Sequence, residues 1–176
     1  MSSENPSGGD NQQETASASG VDPNWVCGFV DGEGCFSVSI HRSPYVRLTR
    51  GWQIKPVFQV SQHGRHRDVL DELVSFFGCG KVRSKGRTTP VMVYAVDHMN
   101  DLEAVILPFF EEHPLLVKHK DFTAFAEIVR SLRRKEHLVP AGFERIVTLA
   151  FSMNENGKQR SKTLQEVLAG SSETTR

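Results

Sequence analysis

Two carboxylates two residues apart, Asp31 and Glu33, close a glycine-containing stretch that reads WVCGFVDGEGCF over residues 25–36. Carboxylates are hard ligands, and Mg²⁺ is commonly held by one or two of them together with phosphate oxygens and water. A cation bound in this way activates water and stabilises the leaving oxygen of a phosphodiester. Two Glu33 carboxylates brought together beside phosphates would therefore predict metal-dependent chemistry at a phosphodiester. A simple turn role is the alternative, and it fits Asp31 better than Glu33.

The glycines of the same stretch are spaced for a close contact between helices. Gly28 and Gly32 are four residues apart, so on a helix they share one face that lacks Cβ atoms. The sequence contains no second stretch of this kind, so the expected partner is the same helix of a second copy. We therefore predict a homodimer that brings two Glu33 carboxylates together, with an interface that includes Trp25, Gly28, Phe29 and Gly32.

Basic residues concentrate in the middle of the chain, although its formal net charge is zero. Ten lysines and arginines lie between His41 and Asn100, against four acids. Such an excess is expected of a protein that binds a polyanion, while a solvated charged surface explains the composition equally well. The three cysteines form no CxxC pair, so neither a zinc site nor a disulfide framework is indicated.

The ends of the chain differ in composition from its body. Residues 1–24 carry four acids, no lysine or arginine and few large apolar side chains, which predicts a disordered tail. One domain is expected at 25–170 and a second disordered segment at 171–176. The chain starts without the basic and apolar stretches of a signal peptide, and no apolar run is long enough to span a membrane. We expect a protein that is not secreted and acts in the cytoplasm, or in the organelle that encodes it.

Apolar periodicity predicts the elements that must position these residues. The patterns indicate a helix at about 25–32, strands at 36–41 and 52–62, a helix at 65–78, strands at 80–85 and 91–96, and helices at 100–112 and 118–137. This αββαββα order is typical of an α+β fold in which a four-stranded antiparallel sheet carries its helices on one face. Further helices are expected at the C-terminal end.

The open face of this sheet is predicted to bind a nucleic acid, and the family resemblance described below implies that it is double-stranded DNA. Arginine pairs with guanine, glutamine pairs with adenine, and serine accepts either base in the major groove. An ordinary half-exposed sheet is the alternative, because it also shows polar residues. The predicted DNA-binding residues of the strands are Ser37, Ser39, His41, Gln53, Lys55, Gln59, Lys81, Arg83 and Lys85.

The stretch VCGFVDGEG at 26–34 resembles the nine-residue signature of the LAGLIDADG homing endonucleases. Gly28, Asp31 and Gly34 are retained, and Glu33 stands at the final acid. The resemblance continues, in the family's order, in FQVSQ (58–62), FFGCGKVRSKG (76–86) and LVKHKDF (116–122). It implies a single-motif homodimer that uses Mg²⁺ or Mn²⁺ to cut long, nearly palindromic DNA sites, leaves 3′ overhangs and is encoded in an intron.

The resemblance also implies roles for individual residues. Glu33 corresponds to the family's metal-binding acid, and the Gly32 carbonyl beside it is the expected second ligand. Gln62 corresponds to a polar residue that orders active-site waters. Lys118 matches the lysine near the scissile phosphate. We therefore expect these four positions to meet in one active site.

One position departs from the family pattern. His66 stands where a single-motif subgroup has an assisting arginine, and we assign it to catalysis. Arg65 and Arg67 flank it and are predicted DNA contacts, and which of the three residues assists stays open. Two alternative functions also stay open. They are an RNA-splicing maturase that binds intron RNA and a non-catalytic DNA-binding regulator.

Overall fold

The computed structural model describes residues 20–45, 51–153 and 162–172. Helix α1 (Pro23–Glu33) runs directly into strand β1 (Gly34–Arg42), and β2 (Trp52–His63) follows. The elements after β2 are a 3₁₀ turn (Gly64–His66), α2 (Arg67–Phe77), β3 (Lys81–Ser84), β4 (Val91–Val96), α3 (Met99–Asp101), a π-helical segment (Leu102–Ile106), α4 (Leu107–Glu112), α5 (His119–Arg133), a second 3₁₀ turn (Glu136–Leu138), α6 (Pro140–Ser152) and α7 (Leu164–Ser172).

The four strands form one antiparallel sheet in the order β1-β2-β4-β3. Each of the two antiparallel strand pairs that are consecutive in the chain, β1 with β2 and β3 with β4, supplies one central strand and one edge strand. The predicted αββαββα fold is therefore confirmed. Among the described residues, no helix is long and apolar enough to cross a membrane.

The core lies between one face of the sheet and the helices, as predicted. Phe36 and Phe58 stack across β1 and β2 with their ring centroids 5.1 Å apart. Phe110 of α4 meets both rings edge-on, at 5.5 and 5.4 Å. Phe125 of α5 is fully buried beside Phe36. These aromatic contacts hold the sheet at a fixed distance from the helices and leave its opposite face open.

A second, smaller cluster lies at the far end of β1 and β2. Trp52, at the start of β2, is buried together with Phe143 and Val147 of α6 and Val167 of α7. Ile40 packs against both this cluster and the main core. The two C-terminal helices therefore brace the ends of β1 and β2.

Some element boundaries differ from the predictions. The helix predicted at 118–137 is wrong in its last part, because α5 ends at Arg133 and Lys135 takes a left-handed conformation with φ of 60°. The helix predicted at 100–112 is interrupted by the π-helical segment. Helix α1 begins at Pro23, inside the predicted tail, and α7 extends to Ser172. The predictions for residues 1–19 and 173–176 lie outside the described residues.

Candidate active site and DNA-binding face

One face of α1 is open, and it carries the two glycines. A Cβ atom placed on Gly28 or Gly32 would meet no atom of the same chain within 4 Å, apart from the helix's own backbone. Trp25 and Phe29 stack on each other beside them with ring centroids 5.1 Å apart, and Trp25 remains 45% exposed. The buried side chains of α1 are on its other side. This apolar, flat face matches the predicted dimer interface, which stays a prediction.

Asp31 anchors the loop that precedes α5. One carboxylate oxygen accepts the backbone N–H of Leu116 at 2.8 Å, and the other accepts those of Val117 at 3.1 Å and Lys118 at 3.0 Å. Both oxygens of this acid are therefore engaged by backbone. The motif divides its two acids, because Asp31 holds the loop while Glu33 remains exposed.

Lys118 is brought to the C-terminal end of α1 by this anchor. Its ammonium donates to the backbone carbonyl oxygen of Asp31 at 2.5 Å. Glu33 lies two residues after Asp31 and is the last residue of α1. The last carbonyl groups of a helix lack partners within it, so the carbonyl of Gly32 lies where a cation could accept it as a ligand. The structure thus gathers Gly32, Glu33 and Lys118 at one helix end.

The donor set at this helix end suits a cation that takes most of its ligands from elsewhere. One chain offers the Glu33 carboxylate and backbone carbonyl oxygens. In the described part of the chain, no group of three or more His, Cys, Asp or Glu side chains could hold a metal ion. Mg²⁺ prefers oxygen ligands and usually keeps several waters beside one or two carboxylates and substrate phosphates. The residues present therefore fit Mg²⁺ or Mn²⁺ and do not form a closed structural site.

The residues predicted to order water or to assist catalysis lie around the end of β2. Gln62 is half-buried and its side-chain oxygen accepts the backbone N–H of His63 at 2.9 Å. Arg65 donates to the His63 ring from both its backbone N–H and its side chain, at 3.2 Å each. His66 is exposed in the 3₁₀ turn. Arg67 pairs with an acid one helical turn ahead at 3.1 Å. The roles of these residues stay predictions.

The strand register places the nine predicted DNA-binding residues of the strands on the face away from the core. Gln59 pairs with Ala95, which pairs with Lys81, and Arg83 pairs with Val93. Residues that pair across a sheet share a face, so these positions form rows across three strands. Val93 and Ala95 are buried beneath the longer polar side chains of this face. We call it the DNA-binding face after the predicted role of its residues, which stays a prediction. The nine residues are Ser37, Ser39, His41, Gln53, Lys55, Gln59, Lys81, Arg83 and Lys85.

Several of these side chains are already hydrogen-bonded to one another or to backbone. The His41 ring and the Gln53 amide oxygen are 3.0 Å apart. The hydroxyls of Ser37 and Ser39 donate to backbone carbonyl oxygens of β2 at 3.3 and 3.4 Å. A hydroxyl that donates in this way keeps its lone pairs as acceptors. The two serine hydroxyls therefore still offer acceptors on this face.

Sequence reasoning missed an acid on this face. Asp97 directly follows β4, and its carboxylate pairs with the Lys55 ammonium at 2.7 Å. This hydrogen bond lowers the pKa of Asp97, and the charges of Lys55, Lys81 and Arg83 add to the effect. Every second residue of a strand lies on the same face, so counting on from Val93 and Ala95 to position 97 is the signal that could have identified it. Asp97 is thus an ionised carboxylate among cations.

Cys35 also lies on this face, opposite Gln59 in the register. Its side chain is half-buried, and burial raises the pKa of the thiol, while a hydrogen bond with Gln59 opposes that change. The thiolate is the form that binds metals and attacks electrophiles. A raised pKa therefore disfavours both roles for Cys35 at neutral pH.

Residues 26–129 match the sequence profile described as LAGLIDADG endonuclease. The chain belongs to the LAGLIDADG endonuclease family. Homing endonuclease I-ApeII of Aeropyrum pernix is a relative with 30% identity over 148 residues, which cover 82% of this chain and 86% of the relative. A Podospora anserina protein in ND4 intron 1 is 34% identical over 121 residues. This chain spans only 26% of that protein's length.

Solved structures agree with this LAGLIDADG family assignment. The homing endonuclease I-TnaI shares 36% identity and a TM-score of 0.76, with 86% of this chain and 98% of that chain covered. The archaeal intron-encoded homing endonuclease I-Vdi141I, solved in complex with DNA, shares 31% identity and a TM-score of 0.77. That similarity covers 85% of this chain and 93% of the archaeal one. The LAGLIDADG fold therefore extends over most of the sequence.

Proposed function

We propose that this protein is a site-specific double-stranded DNA endonuclease that acts as a homodimer and requires Mg²⁺ or Mn²⁺. The observation that carries the proposal is the position of Lys118, which the Asp31 anchor holds at the end of α1 where Glu33 is exposed. The DNA-binding face and the DNA complex of I-Vdi141I support DNA as the substrate.

In this proposal each residue has a separate task. When bound, the cation supplies Lewis acidity at the scissile phosphate and activates a water. Glu33 binds the cation through its carboxylate, and the carbonyl of Gly32 assists it. Lys118 places a positive charge beside the phosphate, where negative charge increases in the transition state. Gln62 and His66 stand at the end of β2, where they orient water.

The open glycine face of α1 supports two copies for each DNA site. Two α1 helices packed through Gly28 and Gly32 place two Glu33 carboxylates near one another, so that each strand of the duplex meets one acid. A two-fold axis in the protein then matches a nearly palindromic site. Cutting of the two strands at offset positions leaves 3′ overhangs.

The experiment is a cleavage assay on a selected substrate. Duplexes that the full chain binds are first enriched from a randomised DNA library in Ca²⁺, and the enriched duplexes are then incubated with Mg²⁺, Mn²⁺ or EDTA. We expect cleavage at one position of the enriched sequence with Mg²⁺ or Mn²⁺, none with EDTA, and sequenced ends that show 3′ overhangs. Enrichment of a sequence that is never cut under any of these conditions would contradict the proposal and favour a DNA-binding regulator.

Intron encoding is part of the same proposal. The relative in ND4 intron 1 and a probable intron-encoded endonuclease of Neurospora crassa support it. Sequencing of the DNA on both sides of the gene tests this point. We expect intron sequence, and the joined flanks should then contain the cleavage site. Flanks that belong to ordinary intergenic DNA would contradict the proposal.

A further inference from the structure

Lys55 and Asp97 form a cross-strand ion pair that stands on the DNA-binding face. The ammonium and carboxylate are 2.7 Å apart, and the two side chains are 45% and 35% exposed. Lys55 belongs to β2, while Asp97 directly follows β4, the strand paired with β2. The pair therefore bridges the two central strands and presents both charges outward.

A carboxylate in this position weakens general attraction to DNA. Asp97 is ionised beside Lys55, Lys81 and Arg83, so it cancels part of the positive charge that these residues supply. Phosphates and the keto oxygens of bases repel a carboxylate, because both are acceptors or anions. A carboxylate interacts favourably only with a hydrogen-bond donor, and in the major groove the donors are the amino groups of cytosine and adenine. The acid thus lowers non-specific affinity and favours particular bases.

The spacing of the two charged atoms matches a feature of every Watson–Crick pair. In the major groove the keto oxygen of guanine or thymine is hydrogen-bonded to the amino nitrogen of its complement. Such N–H···O distances are about 2.9 Å. The ammonium and carboxylate are separated by nearly the same distance, 2.7 Å. One base pair can therefore satisfy both groups at once, with the keto oxygen at Lys55 and the amino group at Asp97.

We propose that the Lys55–Asp97 pair is a specificity determinant that reads the orientation of one base pair in each half-site. It accepts G·C or T·A with the keto base beside Lys55. It rejects C·G and A·T, because they place an amino group against the Lys55 ammonium and a keto oxygen against the Asp97 carboxylate. Guanine is preferred over thymine, because its N7 offers a second acceptor to the ammonium. This inference rests on the DNA-binding function proposed above.

The test measures binding to a set of defined duplexes. The sequence enriched by the wild-type chain from the randomised library is prepared with each of the four base pairs at every position, and Kd is measured for each duplex. In the wild-type chain one position per half-site should favour G·C over C·G about tenfold or more. Asp97→Asn should reduce that ratio and leave the other positions unchanged.

The reversed double variant, Lys55→Asp with Asp97→Lys, gives the sharpest result. It keeps an ion pair but exchanges the donor and the acceptor, so C·G or A·T should now be preferred at the same position. Glu103→Gln is the matched control, because Glu103 pairs with Arg133 at the same 2.7 Å and is 38% exposed, but it lies on the π-helical segment away from the sheet. This control should retain the wild-type profile.

The outcomes separate this inference from the proposed function. If the wild-type chain enriches no DNA sequence, site-specific binding itself is wrong and the inference fails with it. If the wild type enriches a sequence but Asp97→Asn binds every duplex more tightly by one common factor, the pair only reduces charge and the inference alone is overturned. A folded reversed variant that keeps the wild-type preference would overturn it as well. Should that variant fail to fold, the Asp97→Asn profile decides.

Discussion

Lys118 is bound to Asp31 twice, through its backbone N–H to a carboxylate oxygen at 3.0 Å and through its ammonium to the backbone carbonyl oxygen at 2.5 Å. The two residues are 87 positions apart in the chain. The acid therefore has a positioning role, because it fixes the loop before α5 and directs the lysine to the end of α1. Its neighbour Glu33 remains exposed, as the proposed metal-binding role requires.

Asp31→Asn should damage both stability and cleavage. The amide keeps one acceptor oxygen, but its NH₂ group would face the backbone N–H groups of the loop. Leaving such donors unsatisfied costs about 1–3 kcal/mol, and we expect that decrease in the free energy of unfolding. Urea denaturation measures the stability, and single-turnover cleavage measures the rate. A variant with wild-type stability and rate would show that the anchor is dispensable.

Glu33→Gln should abolish cleavage and preserve folding and site binding. The amide has the shape of the carboxylate but lacks the charge that holds a divalent cation, and Glu33 is exposed, so its loss costs the fold little. Gel-shift and cleavage assays in Mg²⁺ separate the two properties. This variant is also the control for Asp31→Asn. Both replace a carboxylate of the motif by an amide, but only Asp31→Asn is expected to lower the free energy of unfolding. Cleavage near the wild-type rate would remove Glu33 from the mechanism.

Lys118→Ala should slow cleavage far more than it weakens binding. We assign the ammonium to charge that develops in the transition state, and removal of one such group typically costs about a hundredfold or more in rate. Measurement of kcat and of Kd for the uncleaved duplex in Ca²⁺ distinguishes the two effects. A loss restricted to affinity would make Lys118 an ordinary phosphate contact.

Gly28→Leu should separate the two protomers while each chain stays folded. Within one chain a Cβ atom at Gly28 meets nothing within 4 Å, whereas paired helices would be forced apart. A displacement of about 1 Å at the active site can cost on the order of a hundredfold in rate. Light scattering reports the mass and a cleavage assay reports the rate. Gly142→Ala is the contrasting control, because its Cβ would overlap the carbonyl of Glu136 and should destabilise the chain itself.

The ion pair of Lys55 and Asp97 predicts a pH dependence of stability. Hydrogen bonding with Lys55 lowers the pKa of Asp97 in the folded chain below its unfolded value of about 3.9. The contribution is therefore complete above the unfolded pKa and is lost as the pH falls through the folded pKa. Urea denaturation at several pH values should show Asp97→Asn less stable than wild type near pH 7. The difference should shrink below about pH 4, and a difference independent of pH would contradict this account.

Strand β1 could be predicted because its apolar and polar residues alternate strictly. Phe36, Val38 and Ile40 indicate one face and the residues between them the other, whereas β2 departs from this pattern at Val57 and β4 reads VMVYAV, apolar throughout. The break after α5 could not be predicted in this way. Residues 133–137 read RRKEH, so no apolar periodicity marks the end of the helix, and the left-handed turn falls at Lys135 within this charged run. Buried Ser131 accepts hydrogen bonds there from Arg134 and from Arg145 of α6.

Only part of the candidate active site could be predicted from the sequence. The glycine spacing and the exposed acid of the signature are local features, and they predicted the open face of α1. The place of Lys118 depends on a contact between distant parts of the chain, and it came from the resemblance to a family. The position of Asp97 on this face could not be predicted, because an acid that follows a strand in a basic segment is typical of a loop. Only the register of β4 with β2 places it beside Lys55.

The small cluster around Trp52 gives the two ends of the sheet different resistance to opening. It contains far fewer buried side chains than the main core. Its members come from the start of β2, from α6 and from α7, and α6 alone of the two helices also contributes to the main core. Regions with little buried apolar surface open with lower free energy than the global transition. Amide protons of α7 and the start of β2 should therefore exchange before those around Phe58. If the chain binds DNA as proposed, this end of the sheet could adjust to the outer part of the duplex while the centre of the sheet keeps a fixed geometry.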